Sequence, residues 1–368
     1  MEPIRVLQVV TIMNRGGLET MLMNYYRKLD KTKIQFDFMT NRLERGHYDD
    51  EIEALGGKIY RLSPIKPGNY NKYFKELDEF FKEHKEYKVV HSHINENSGF
   101  VLKAAKKAGI ECRIAHSHLS DLKLDYKYPF RVYARRNLKG NVSDYFACSQ
   151  RAGEWLFGKE ISSSGKVTVL NNAVDTEKFK INKDIRDKIR MELGIEDKKV
   201  IGHVGRFNPQ KNHEFLIDVF NEVYKKDKGT VLLLIGDGYL KEKIEDKVKK
   251  LNLEQGVKFL GVREDIPEIM QAMDLFLFPS QFEGLAVVMV EAQAAGLKVI
   301  TSTGVTNESD ITNNVEFIDL SKGAEYWADI VLNSDFKKKD SIKMMISKGY
   351  DSTNNVKWLS DFYINKYV

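Results

Sequence analysis

Apolar residues in this chain come in short runs, each closed by a polar or glycine-rich loop and followed by residues at helical spacing. Ile4–Val10 (IRVLQVV) is the first run; after the loop holding Gly16 and Gly17, residues Leu18, Met21, Leu22, Tyr25, Tyr26 and Leu29 mark one helix face. Phe36–Thr40, Ile59–Leu62, Val89–His93, Cys112–His118, Asp144–Ser149 and Lys166–Leu170 repeat the theme, with helices predicted over 47–55, 70–84 and 98–108. Such alternation predicts a doubly wound parallel sheet. Residues 171–179 (NNAVDTEKF) are irregular and polar, and a charged stretch follows. The pattern restarts at Lys199 with VIGHVGRF, TVLLLIGDG and VKFLG, then Leu275–Phe278, Lys298–Thr301 and Val315–Leu320. Runs as apolar as TVLLLI suit strands covered on both faces. Two α/β halves are expected, 1–175 and 176–354, with the crossover in 171–198. Tail residues Trp358, Leu359, Phe362 and Tyr363 sit at helical spacing, so a helix over 355–368 either returns to the first half or packs on the second.

Composition changes this picture little. A length of 368 residues suits two domains of roughly 150–200 residues. The net charge of +5 suits an anionic substrate or surface without demanding either. Two cysteines, Cys112 and Cys148, build no disulfide framework and point to a reducing cytoplasm. Because a strand begins at Ile4, no signal peptide is expected, and no run approaches the ~20 apolar residues of a membrane span. One segment stands apart. Residues 123–140 carry six basic residues, one acid (Asp125) and the aromatics Tyr126, Tyr128, Phe130 and Tyr133. It is either a solvated helix with its aromatics in the core or a surface for anionic headgroups.

Candidate chemistry lies at strand ends. Arg206 and Lys211 share the loop GRFNPQK, and two cations beside Gly205 suit a diphosphate that gains charge as a bond to it breaks. No Asp-x-Asp pair occurs to hold a divalent metal on that diphosphate, so no metal is expected. His91/His93 and His116/His118 form two H-x-H pairs, each pair on one face of a strand. A zinc site is conceivable there, but contact with a sugar hydroxyl or a leaving phosphate fits better, and His91 reads as a buried structural residue. In Asp274–Thr301, a strand and a Pro-Ser loop lead to Glu283, then to an amphipathic helix carrying Glu291. Glu283 in the loop, with the N–H groups of Gly284, Leu285 and Ala286, can read sugar hydroxyls. Glu291 can take two vicinal hydroxyls, such as those of a ribose.

These pieces together resemble the retaining GT-B glycosyltransferases of the group-1, family-4 class, which includes capsular and exopolysaccharide transferases. FPSQFEGLAVVMVEAQAAGLKVI resembles the family's P-S-x-x-E-G…E-A-x-A-x-G pattern; VGRFNPQKN, NRGGLE and NNAVDTEKF are similar to three further motifs, with Ala173 where glycine is usual. The resemblance implies two Rossmann-like domains facing a cleft, the first binding the acceptor and the second an NDP-sugar. It implies that Arg206 and Lys211 bind the diphosphate, Glu291 the ribose, and Glu283 the transferred sugar. Arg263 would lie near the nucleobase, and Gly16 and Gly17 would approach the diphosphate. The active-site histidine would be His118, trailed by Asp121, with His116 and His93 as acceptor-side alternatives. A UDP-sugar donor, a lipid-linked saccharide acceptor, no cofactor, no nucleic acid, and a cytoplasmic place at the inner membrane face are the implied setting. An NDP-sugar epimerase of the same architecture is the main rival. A nicotinamide dehydrogenase is disfavoured by the lack of G-x-G-x-x-G after a strand, and a lectin-like subunit by the presence of both glutamates and both cations.

Overall fold

The computed structural model describes residues 2–66, 68–119, 128–283 and 285–367. Asp121, Gly284 and residues 123–127 of the basic-aromatic segment lie outside them. The chain divides into two units, Met1–Ala173 with Ser352–Val368, and Val174–Asp351.

The first unit carries β1 (Ile4–Val10), β2 (Ile34–Thr40), β3 (Ile59–Arg61), β4 (Val89–Ser92), β5 (Cys112–Ser117), β6 (Asp144–Ala147) and β7 (Val167–Val169). They form one sheet in the order β3-β2-β1-β4-β5-β6-β7, parallel throughout. Helices such as Gly17–Lys28 and Ser98–Lys107 connect them. Parallel neighbours require crossovers, and the crossovers cover both faces of the sheet; this is why β1 and β2 bury nearly every residue. The terminal helix Ser352–Tyr367 belongs to this unit and packs on Gly17–Lys28, β1 and β4. Its Tyr363 is fully buried, edge-on to Phe36 at 5.9 Å.

The second unit carries β8 (Lys199–Val204), β9 (Thr230–Ile235), β10 (Val257–Gly261), β11 (Leu275–Phe278), β12 (Lys298–Ser302) and β13 (Val315–Ile318), ordered β10-β9-β8-β11-β12-β13. Both sheets reverse direction of growth beside their first strand, between β1 and β4 and between β8 and β11. Ligands of open α/β sheets bind at such reversals, beyond the carboxyl ends of the strands.

Two sequence expectations need correction. The polar stretch after Ala173 is not irregular throughout: it holds the helices Thr176–Phe179 and Lys183–Leu193. The second is locked to its own sheet by Asp274, which takes Arg186 at 2.5 Å, Arg190 at 3.2 Å and the Val200 N–H at 2.8 Å. Two of its charges, Arg186 and Arg190, thus serve one buried carboxylate. The helix Val287–Ala294 is also not amphipathic, since Val287, Met289, Val290, Ala292, Gln293 and Ala294 are all buried. Neighbours surround it on most sides, and only Val288 and Glu291, three residues apart on one face, stay partly exposed.

Candidate active site

The ends of β8 and β11 bring together residues that are far apart in sequence. After β8 the chain continues through Gly205, whose N–H donates to the carbonyl of Ile235, the last residue of β9, and Phe207, whose N–H donates to the Asp237 carbonyl just beyond it. This approach leaves no room for side chains opposite. A Cβ on Gly236 (φ +135°) would strike the Gly205 carbonyl oxygen, and one on Gly238 would strike Phe207. Gly236→Ala is therefore expected to destabilise the protein by about 1–3 kcal/mol by displacing the Gly205–Arg206 backbone. Thermal unfolding checks this.

Asn208 then closes a tight turn, its Oδ1 accepting from the Lys211 N–H at 3.1 Å. Lys211 is thereby aimed back over the sheet end, its Nζ 4.6 Å from the Phe278 ring centroid and 2.6 Å from Glu283 Oε1. Both partners are largely buried. Ser280 Oγ donates to the same Glu283 oxygen at 3.2 Å, and the Glu283 N–H reaches the Gly304 carbonyl. Ser302 Oγ donates to the Ser280 carbonyl, and the Gln281 N–H donates to the Gln210 carbonyl at 2.8 Å. The Pro-Ser loop is thus tied both to the β8 loop and to the end of β12. Arg206 is exposed and makes no ion pair among the described residues, leaving its guanidinium available to an anion.

Glu291, one turn from the end of its helix, forms no hydrogen bond or ion pair among the described residues, and burial pushes its pKa up to about 7. Leu285 and Ala286 are buried. Arg263 lies at the surface, held by Asp265 through two contacts of 2.8 and 2.6 Å.

The histidines gather on the first unit. His91 of β4 and His93 just after it stack at 4.2 Å, and His116 of β5 and His118 just after it lie 4.1 Å apart with their rings tilted by 32°. His91 Nε2 meets His116 Nδ1 at 3.1 Å, and His93 Nδ1 meets His118 Nε2 at 2.9 Å. Burial holds all four rings neutral, with His118 lowered to about 3 and the others well below their usual range. The His118 N–H donates to Asn95 Oδ1 at 2.9 Å. Gly16 precedes the helix Gly17–Lys28, where a Cβ would collide with the Glu19 carboxylate.

Two partners of this cluster escaped the sequence reading. Gln8 Oε1 lies 2.8 Å from His93 Nε2, and Tyr363 Oη lies 2.6 Å from His91 Nδ1. A glutamine inside an otherwise apolar central strand was the available signal for Gln8. Nothing local marks Tyr363, which reaches the site only through the return of the last helix.

Two Rossmann-like parallel sheets, one with cations and carboxylates at its topological reversal, define the architecture of GT-B transferases. Residues 185–323 match the family model described as Glycosyl transferases group 1, and residues 15–178 match that described as Glycosyltransferase Family 4. The Bacillus subtilis chain named as glycosyltransferase EpsF is 37% identical over 98% of this chain and 96% of its own length. An Escherichia coli UDP-Gal:alpha-D-GlcNAc-diphosphoundecaprenol alpha-1,3-galactosyltransferase is 27% identical over 91% of this chain and 90% of its own. Among solved structures, Anabaena HepE in complex with UDP superposes with a TM-score of 0.80 at 19% identity, covering 98% of this chain and all of that one. The chain belongs to the group 1 glycosyl transferases, with the GT-B fold, and is a transferase of the exopolysaccharide and capsule type.

Proposed function

We propose that the protein transfers a hexosyl unit, with retention of configuration, from a UDP-sugar to a lipid-linked saccharide during assembly of a surface polysaccharide. The observation carrying this reading is the set of groups at the β8–β11 reversal: a guanidinium and a carboxyl without ion-pair partners among the described residues, and between them an ammonium braced by a carboxylate. In this reading Arg206 and Lys211 hold the diphosphate and Glu291 accepts hydrogen bonds from the ribose hydroxyls. Glu283, with the backbone at Gly284, Leu285 and Ala286, reads the sugar; Arg263 neighbours the base. Gly205 lets the backbone come close to the phosphates. On the first unit His118 is the histidine that faces substrate, with Asp121 following it, His93 and His116 beside it, and Gly16 and Gly17 at the entry to the first helix.

The bond between the anomeric carbon and the diphosphate oxygen breaks first in character, and the two cations take up the charge that develops on the leaving group. The acceptor hydroxyl bonds to the same face of the anomeric carbon and gives its proton to the departing diphosphate. No protein nucleophile takes part, and the protein's own cations replace a metal. The name of the E. coli relative supports a UDP donor, a lipid diphosphate acceptor and an α-linked product. The UDP held by HepE supports the choice of nucleotide. No helix among the described residues is long and apolar enough to cross a membrane. Contact with anionic lipid would fall to 123–140, where Tyr128 and Tyr133 of the helix Tyr128–Arg136 remain exposed.

A panel of UDP-, GDP- and ADP-sugars, with and without EDTA, tests the donor by thermal shift; the expected result is stabilisation by one UDP-sugar, unaffected by chelation. Product analysis with that donor follows. Free sugar-nucleotide epimer formed without acceptor would replace this reading with the isomerase.

A further inference from the structure

The four-histidine cluster of the first unit has a feature that the transfer reaction alone does not explain: its outer nitrogens are held by two residues, Gln8 and Tyr363, that also contact each other. Gln8 Nε2 donates to Tyr363 Oη at 3.3 Å, while Gln8 Oε1 faces His93 Nε2 at 2.8 Å. Gln8, His91, His93, His116 and Tyr363 are all within 2% of full burial. Apart from His116 Nε2, each ring nitrogen, amide group and hydroxyl of this set meets a protein partner, so the direction of each bond follows from the next.

Oε1 can only accept, so His93 carries its proton on Nε2. Its bare Nδ1 must then accept, and His118 donates from Nε2, which leaves His118 Nδ1 bare. On the other arm Tyr363 Oη accepts from Gln8 and gives its own proton to His91 Nδ1. His91 therefore donates from Nε2 to His116 Nδ1, and His116 is left with an N–H at Nε2. The two nitrogens where the chains end, His116 Nε2 and His118 Nδ1, are buried and have no hydrogen-bond partner among the described residues. One ends as a donor, the other as an acceptor. Rotating the Gln8 amide by half a turn reverses every bond, moving all four protons to Nδ1 and exchanging the two ends.

We infer that Gln8 and Tyr363 are positioning residues that lock the four histidines into a single shared tautomer, so that His116 and His118 present one donor and one acceptor of opposite sense. A hydroxyl, which both donates and accepts, is the substrate group that such a pair suits. That last step rests on the proposed role of His118; the shared tautomer does not.

Long-range proton–nitrogen correlation spectra of the full chain, labelled at histidine, read the tautomers directly. All four rings should be neutral and protonated at the same nitrogen. In Gln8→Met, His93 and His118 should become tautomer mixtures while His91 and His116 keep theirs. In Tyr363→Phe the affected pair should be His91 and His116. Different tautomers among the four rings of the unsubstituted protein would overturn the inference without any variant having to fold. Zinc taken up one per chain with all four rings shifting to a metal-bound pattern would overturn it as well. With donor and acceptor in hand, Gln8→Met should lower kcat roughly tenfold, the size of loss seen when the group orienting a ligating histidine is removed, with the donor KM little changed. Should His118→Gln turn over normally, the functional reading fails, while the spectra still decide the relay.

Discussion

Arg206→Ala should lower sugar transfer by about 10²–10³-fold, the range seen when one preorganised donor to a developing anion is removed, while leaving the unfolding midpoint unchanged. The second half of that expectation follows from exposure: Arg206 is at the surface and has no ion-pair partner among the described residues to strand. Lys211→Ala should cost as much activity but is a less simple change. It leaves Glu283 mostly buried and without its 2.6 Å partner, so stability should fall with activity. The double variant Lys211→Ala/Glu283→Gln separates the two roles. If Lys211 serves only to neutralise Glu283, removing both charges restores stability and the affinity for UDP, which lacks the sugar that Glu283 reads. If it holds the diphosphate, stability returns and UDP affinity does not. Near wild-type turnover in Arg206→Ala, or recovery of UDP affinity in the double variant, would sink the assignment of these cations to the leaving group.

Nucleotide affinity should rise with pH through about 7, because Glu291 must ionise to accept two ribose hydroxyls. Its pKa lies near 7 through burial, against an ordinary value of 4.5. Below 7 each unit of pH should weaken binding up to about tenfold, since one proton must leave. Calorimetry in buffers of different ionisation enthalpy should show a fraction of a proton released per nucleotide bound at neutral pH. Linkage sets the sign for the free protein. Between pH 4.5 and 7 the unfolded chain has lost this proton and the folded chain has kept it, so stability falls as pH rises across that window. The total is at most about 3 kcal/mol. Glu291→Gln should therefore be more stable than the parent at pH 8, match it near pH 4, and bind nucleotide poorly at both. A pH-independent affinity, with no proton released, would remove Glu291 from the ribose site.

The places where sequence reading succeeded and failed have physical causes. Strands such as Thr230–Ile235 were legible because fully covered parallel strands need unbroken apolar runs. Gly205, Arg206, Lys211 and Glu283 stood out because polar loops following such strands are where these sheets expose chemistry. The helix around Glu291 was misjudged as amphipathic: its one carboxylate looked like a polar face, whereas its setting has apolar neighbours on most sides. The helix Lys183–Leu193 was passed over as a charged connector because its salt bridges to Asp274 join residues 84 and 88 positions apart.

By itself, then, the sequence determined the alternation of strand and helix, the two α/β halves, and the loops able to hold an anion, since all of these depend on local periodicity and on residues within one turn of each other. Tertiary structure alone decided which loops meet. Lys211 and Glu283, 72 positions apart, face one another because strand order sets β8 beside β11. His91 and Tyr363, 272 positions apart, touch because the last helix packs on β1 and β4. The proton pattern across the four histidines is likewise a property of that packing, since a ring's tautomer is fixed by the partner its other nitrogen finds.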